Sequence, residues 1–196
     1  VLFAMFTGNG GGFYRTADNG TTWTMMNVSS YMLDDMAKIG TRLFAIAGIK
    51  VYKSDDNGAT WIVVNGEQGG VSLGVIGTRL VLSQFDFAPM LYSDDQGITW
   101  TSASGVSDNG WSSDEMVTYG GWLYAGVTGS IFRSNDGMSW VNYEGGTNNE
   151  YIRRLSLSGS GLYDVGDDNV FHLDGVIGVE EVDASTRSLY FDASTS

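Results

Sequence analysis

An all-β fold of repeated four-stranded antiparallel units is predicted, and three observations predict it. One phrase occurs four times, as Thr16-Ala-Asp18-Asn-Gly20-Thr-Thr22-Trp23, Ser54-Asp-Asp56-Asn-Gly58-Ala-Thr60-Trp61, Ser93-Asp-Asp95-Gln-Gly97-Ile-Thr99-Trp100 and, shortened, Ser134-Asn-Asp136-Gly137-Met-Ser139-Trp140. Its four tryptophans stand 38, 39 and 40 residues apart, and a fixed period of that size marks a solenoid or a propeller. Between the phrases each period holds short alternating apolar runs and no sustained helical spacing. Four strands in a unit of about forty residues is the pattern of a propeller blade.

Each part of the phrase has a local task. Asp or Asn before Gly, between β-branched or aromatic runs, signals a hairpin turn, because Gly accepts positive φ without steric cost. The Asp carboxylate is expected to accept main-chain N–H groups one to three residues on, and the preceding Ser or Thr to do so more weakly. The Trp is expected to start the outgoing strand and cover the hairpin's apolar side. A calcium reading fails: an EF-hand loop opening at Asp55 needs a bidentate acid at its twelfth position, where Gly66 stands.

Naming the strands of a unit a to d, with the phrase as the c–d turn, the chain reads in order. The first blade (1–27 plus 186–196) opens on strand b, Val1–Phe6, then c at Gly12–Tyr14 and d at Trp23–Met26, with no strand a before them. The second (34–65) has the runs Met36–Ile39, Leu43–Ala47, Ile49–Tyr52 and Trp61–Val64. The third (71–104) has Ser72–Ile76, Leu80–Leu82, Met90–Tyr92 and Trp100-Thr101, and the fourth (114–144) Glu115–Tyr119, Trp122–Ala125, Ser130–Phe132 and Trp140–Tyr143. The fifth (150–184) has Tyr151–Leu157, Leu162–Val165, Asn169–Phe171, a degraded turn at Leu173-Asp174-Gly175, and Val179–Val182.

One run, Ser188–Asp192, is left over. As strand b of a sixth blade it should follow Leu162 by one period, but Leu189 lies only 27 residues on. Counted across joined termini, Leu162 to Leu2 is 36 residues and Trp140 to Trp23 is 79, close to one and two periods. The expectation is therefore a single five-bladed β-propeller over 1–196, closed by the C-terminal strand pairing into the N-terminal blade, which ties down both termini and removes an open edge.

Composition narrows the function classes. The 196 residues are 42% hydrophobic and 13% aromatic, enough for a core, with 28 glycines, Pro89 as the one proline and no cysteine. Disulfides, thiolate metal sites and cysteine nucleophiles are thereby excluded. A net charge of −13 repels phosphate backbones and anionic membrane surfaces, so no nucleic-acid partner is expected. No apolar run reaches the roughly 20 residues that span a bilayer, so no membrane insertion is expected either. The chain opens at Val1 and no leader is legible, which fits a processed terminus or an excerpt. Asn19-Gly-Thr21 and Asn27-Val-Ser29 match the glycosylation acceptor pattern.

The phrase Ser-x-Asp-x-Gly-x-Thr-Trp resembles the Asp-box, or BNR repeat, of sialidases, sortilin-type receptor domains, xyloglucan-degrading enzymes and propeller-type photosystem II assembly factors. The resemblance implies a propeller whose boxes lie on the face away from any active site. Asp18, Gly20, Trp23, Asp56, Gly58, Trp61, Asp95, Gly97, Trp100, Asp136, Gly137 and Trp140 are then structural. The catalytic set of the sialidases does not carry over. Their Arg-Ile-Pro phrase is missing, and Arg15, Arg42, Arg79, Arg133, Arg153, Arg154 and Arg187 mostly fall beside a–b turns or boxes, on the wrong face. Sialidase activity is not expected.

A ligand site is expected on the opposite face, where d–a and b–c loops meet the tunnel mouth. The candidates are Tyr31, Asp34, Asp35, Phe85, Asp86, Phe87, Trp111, Asp114, Glu115, Glu150 and Tyr151, a mixture of rings, amides and acids suited to sugar hydroxyls. Ordinary solvated loops would show the same composition. His172, the one histidine, falls at the degraded fifth box and reads as a turn-flanking residue. The leading expectation is a non-catalytic binding or assembly module, extracellular or surface-associated, taking a glycan or a partner protein, with no cofactor and no metal. One alternative is a structural subunit of an extracellular or virion assembly, forming oligomers or filaments by exchange of the terminal strand. The other is a glycoside hydrolase using tunnel-mouth carboxylates, which as an inverting pair would stand roughly 6.5–9.5 Å apart.

Overall fold

A computed structural model describes residues 1–6, 12–28, 33–64, 68–84, 88–106, 115–127, 130–143, 154–158, 161–165, 170–173 and 179–182. Among them there is no helix. The strands are β1 (Leu2–Phe6), β2 (Gly12–Thr16), β3 (Thr24–Met26), β4 (Leu33–Ile39), β5 (Arg42–Ala47), β6 (Lys50–Ser54), β7 (Ile62–Val63), β8 (Ser72–Ile76), β9 (Arg79–Ser83) and β10 (Leu91–Ser93). They continue as β11 (Thr101–Ser102), β12 (Met116–Tyr119), β13 (Trp122–Val127), β14 (Ser130–Ser134), β15 (Val141–Tyr143), β16 (Arg154–Ser158), β17 (Gly161–Val165), β18 (Val170–Leu173) and β19 (Val179–Val182).

These strands form one three-stranded sheet, β1-β2-β3, and four four-stranded sheets, each an antiparallel meander in chain order. Among the described residues, no strand pairs with β1 on the side away from β2. Sharp turns after the first strand of each unit let b fold back on a, and at Gly40 and Gly77 the φ of 59° and 62° needs glycine's freedom. The run Ser188–Asp192 lies outside the described residues.

First strands of consecutive sheets pack on one another, β4 on β8, β8 on β12 and β12 on β16. The core accordingly lies between sheets. Alternation sends Phe44 and Ile46 toward Leu73, Leu80, Leu82 and Leu91 of the third sheet, while Ala45, Ala47 and Tyr52 meet Phe13 and Val28 of the first. Leu123, Ala125 and Phe132 likewise join Val81 and Met90, and on the reverse face Tyr124 and Ile131 join Leu155 and Leu162. Because β5, β9 and β13 are covered on both faces, they read as nearly continuous apolar runs. Each fully buried Leu or Phe contributes about 1.5–3 kcal/mol.

One detail differs from the sequence reading. Strand β4 starts at Leu33, ahead of the apolar run at Met36, because Asp34 and Asp35 are taken into the strand through a bulge. His172 lies within β18, next to its last residue, its backbone in register with Tyr163 and Glu180.

Candidate functional site

The four boxes share one hydrogen-bonded design. In the second, the Ser54 hydroxyl donates to Asp56 Oδ1 at 2.8 Å and accepts the Gly58 N–H at 2.8 Å. Asp56 Oδ1 then accepts the Thr60 N–H at 2.8 Å, and Oδ2 accepts the Thr60 hydroxyl at 2.6 Å. Thr16, Asp18, Gly20 and Thr22 repeat this set in the first box, and Ser93, Asp95, Gly97 and Thr99 in the third. The carboxylate therefore reaches four residues on, one beyond the expected span. Asn19, Asn57 and Gln96 join the following glycines at positive φ, between 56° and 62°, so two successive left-handed residues set the turn.

The indole also does more than cover the hairpin. Trp23, Trp61 and Trp100 each donate Nε1–H to the carbonyl of the box glycine, at 3.1, 3.1 and 3.0 Å. The shortened fourth box loses this bond. Asp136 accepts the N–H groups of Met138 and Ser139, at 2.8 and 2.9 Å. Trp140 is drawn inward to 3% exposure, and its Nε1 has no acceptor among the described residues. Its main chain is engaged instead, Trp140 N–H donating to the Ser104 carbonyl at 2.9 Å and Ser104 N–H to the Met138 carbonyl at 2.8 Å.

These bonds hold the box carboxylates ionised. The hydroxyls of Thr16 and Thr22 lower Asp18 to about 2, and Thr99 lowers Asp95 to about 2. Thr60, first through its hydroxyl, lowers Asp56, and the Ser139 N–H lowers Asp136. A carboxylate so engaged is a poor proton donor near neutral pH.

Two residues that the composition did not single out extend the boxes between sheets. Arg42, just after the a–b turn, donates Nε–H to Asp55 at 2.5 Å and a second N–H to the Gln96 side chain in the next box. Arg79, at the same place one unit on, holds Asp94 at 2.7 Å, stacks over the Tyr92 ring and donates to the Asp136 carbonyl. The recurrence of Gly-Thr-Arg at 40–42 and 77–79 was the legible signal. The fourth unit exchanges the partners: Trp122 takes the turn position and Arg133 sits 4.4 Å from its ring and 4.6 Å from Tyr143.

Box glycines also pack against the preceding sheet. A Cβ on Gly58 would stand 3.0 Å from the Phe3 ring and 3.1 Å from Met26 sulfur, and one on Gly97 3.3 Å from Val64. At Gly137 it would meet Val81 and Ile76 at 2.8 and 3.0 Å. Among the described residues Gly20 has only its own Trp23 nearby, and that indole is 41% exposed.

Of the loop-face candidates, Asp34, Asp35 and Glu115 are described; Tyr31, Phe85, Asp86, Phe87, Trp111, Asp114, Glu150 and Tyr151 lie outside the described residues. Asp34 is the bulged residue of β4 and accepts the Gly48 N–H at 3.0 Å. Asp35 accepts the Met36 N–H at 2.6 Å and the Leu73 N–H at 2.8 Å. Burial raises both acids above the ordinary aspartate value. Glu115 stands half-buried at the start of β12. Two acids thus meet at the head of β4, and one of them is committed to joining sheets. No group of three or more His, Cys, Asp or Glu among the described residues is placed to hold a metal.

The BNR/Asp-box repeat model matches residues 91–102, the third box with its flanking strands. No curated protein sequence matches the chain. Among solved structures, an ancestral GH74 enzyme aligns at 14% identity and TM-score 0.66 over 87% of this chain and 28% of its own. YCF48 bound to D1 peptide aligns at 16% and 0.65 over 89% of this chain, and a chain of a nidogen/laminin complex at 14% and 0.62 over 84%. The chain spans 61% of that YCF48 and 68% of that nidogen/laminin chain. At these identities the likeness is one of fold. One box is matched by the family model and the same turn is built at the other three, so the chain carries Asp-box repeats and is similar in fold to β-propeller proteins.

Proposed function

We propose that this chain is a non-catalytic binding or assembly module that takes a partner protein, or a glycan, on the loop face opposite its Asp-boxes. The observation that carries the reading is the commitment of the box chemistry. Each box carboxylate is bonded within its own turn, and Arg42 and Arg79 are tied to boxes, so recognition is left to the loops at the other ends of the strands. Two structures of similar fold support a protein partner, one a YCF48 bound to D1 peptide and the other a nidogen/laminin complex. The GH74 likeness keeps a glycoside hydrolase as the rival. Peptide and glycan arrays probed with the wild type, Trp111→Ala and Phe85→Ala test the reading. Binding lost in these variants and retained in an Asp56→Asn control is expected; turnover of a chromogenic glycoside abolished by Glu115→Gln would overturn it.

The same reading takes the five sheets as the blades of one ring over 1–196, with Ser188–Asp192 adding the strand missing before β1. Three features of the first sheet support it: among the described residues β1 is an edge, Val1 and Leu2 are 58% and 54% exposed, and Gly20 lacks the covering by described residues that Gly58, Gly97 and Gly137 have. A second reading rests on the same edge, with the terminal strand completing a neighbouring copy and giving filaments. The chain has no cysteine, so Phe3→Cys with Leu189→Cys separates the two. A cross-link within one chain is expected from closure and a ladder of multimers from exchange. An extracellular or surface location belongs to the same proposal, and secretion of the full gene product tests it.

A further inference from the structure

We propose that Asn19 and Asn57 are latent sites of spontaneous main-chain modification, held shut by the folded box through the hydroxyls of Thr16 and Ser54. An Asn before Gly can react without an enzyme. The glycine nitrogen, losing its proton, attacks the side-chain carbonyl carbon of Asn; a C–N bond forms and the side-chain nitrogen leaves as ammonia. Water then opens the cyclic imide at one of its two carbonyls, giving Asp or an isoaspartate whose main chain runs through the former side chain. Water is the only co-reactant. The chain carries Asn-Gly at 9–10, 19–20, 57–58, 65–66 and 109–110, and the structure describes two of these turns.

In both, the attacking nitrogen is already engaged. Gly20 N–H donates to Thr16 Oγ1 at 2.9 Å, and Gly58 N–H donates to Ser54 Oγ at 2.8 Å. Each acceptor is 2% exposed, so water cannot replace it while the turn is closed. Asn19 and Asn57 are themselves exposed, and both hold φ near 56–57°. The side-chain amide is thus open to solvent while its nucleophile is sequestered. Reaction must wait for the turn to open, and its rate follows the population of the opened box. The isoaspartate product is incompatible with reclosure, since it lengthens the main chain between Asp18 and Thr22, or between Asp56 and Thr60, whose bonds define the box; the Asp product leaves that length unchanged. Wherever isoaspartate forms, transient opening is converted into permanent loss of that turn. The third and fourth boxes, with Gln96 and Asp136 before the glycine, do not carry the pair.

Peptide mapping by mass spectrometry, after incubation at neutral pH, tests the proposal. Conversion at Asn19 and Asn57 in the folded protein is expected to be at least about tenfold slower than in the same chain unfolded in urea, the ratio even a modest opening equilibrium imposes. Thr16→Val keeps the side chain's size and removes the acceptor's lone pairs; it should accelerate Asn19 and leave Asn57 unchanged, and Ser54→Ala should do the reverse. Equal rates in the folded and unfolded wild type would overturn the proposal, and so would a folded Thr16→Val with no acceleration at Asn19. If Thr16→Val does not fold, the wild-type comparison decides alone.

Discussion

The Asp35 carboxylate accepts the main-chain N–H of Leu73 at 2.8 Å, joining the first strands of the second and third sheets. Residues 38 positions apart are thus coupled at the end of the molecule where the sequence pattern places a ligand site. An acid read as a recognition group is here a structural tie.

Removing that tie should be costly. Asp35→Ala leaves two N–H groups, of Met36 and Leu73, without an acceptor, and burial of an unsatisfied donor costs about 1–3 kcal/mol. Asp35→Asn keeps the volume and one acceptor and removes a charge that burial already disfavours. Urea melts should therefore rank wild type and Asn close together, with Ala well below.

Acid should loosen the boxes within a defined window. Their carboxylates have pKa values below the unfolded value of about 3.9. For such groups the stabilisation is complete above the unfolded pKa and is lost as pH falls through the folded one. With Asp18 and Asp95 at about 2, the loss is expected between pH 4 and pH 2. Asp35, raised by burial, acts in the opposite sense. Circular dichroism across an acid titration should show this decline, and Asp95→Asn should flatten it.

Glycines at the two kinds of turn should respond differently to alanine. Gly77 has φ of 62° and, among the described residues, nothing within 4 Å of the place a Cβ would take, so Gly77→Ala should meet only the left-handed penalty of about 1–2 kcal/mol. Gly58→Ala meets that penalty and also presses on Phe3 and Met26, for about 2–5 kcal/mol in total. Denaturant midpoints of the two variants check the ordering.

Tryptophan replacements should divide in the same way. Trp61→Phe removes the bond to the Gly58 carbonyl and should cost about 1 kcal/mol for the bond, besides lost packing. Trp140→Phe removes a donor that has no acceptor among the described residues, so its cost should be packing alone. Fluorescence at low denaturant should show the blue-shifted Trp140 emission lost in the second variant and the fold retained.

The local grammar of the chain was open to inspection from the residues. Asp-x-Gly-x-Thr-Trp closes bonds within a few positions of itself, so the four turns, the strand order within each sheet and the bonds that Asp18, Asp56, Asp95 and Asp136 accept follow from short-range chemistry. Tertiary structure decided what lies between units. Whether Asp35 points to solvent or to Leu73, whether Arg79 reaches Asp136, and why Gly58 must lack a side chain depend on which sheet stands next to which, and no spacing within one repeat encodes that. The missing residue in the fourth box was visible as a gap, but only packing against Val81 and Met90 shows that it buries Trp140 and moves its bonding to the main chain of Ser104.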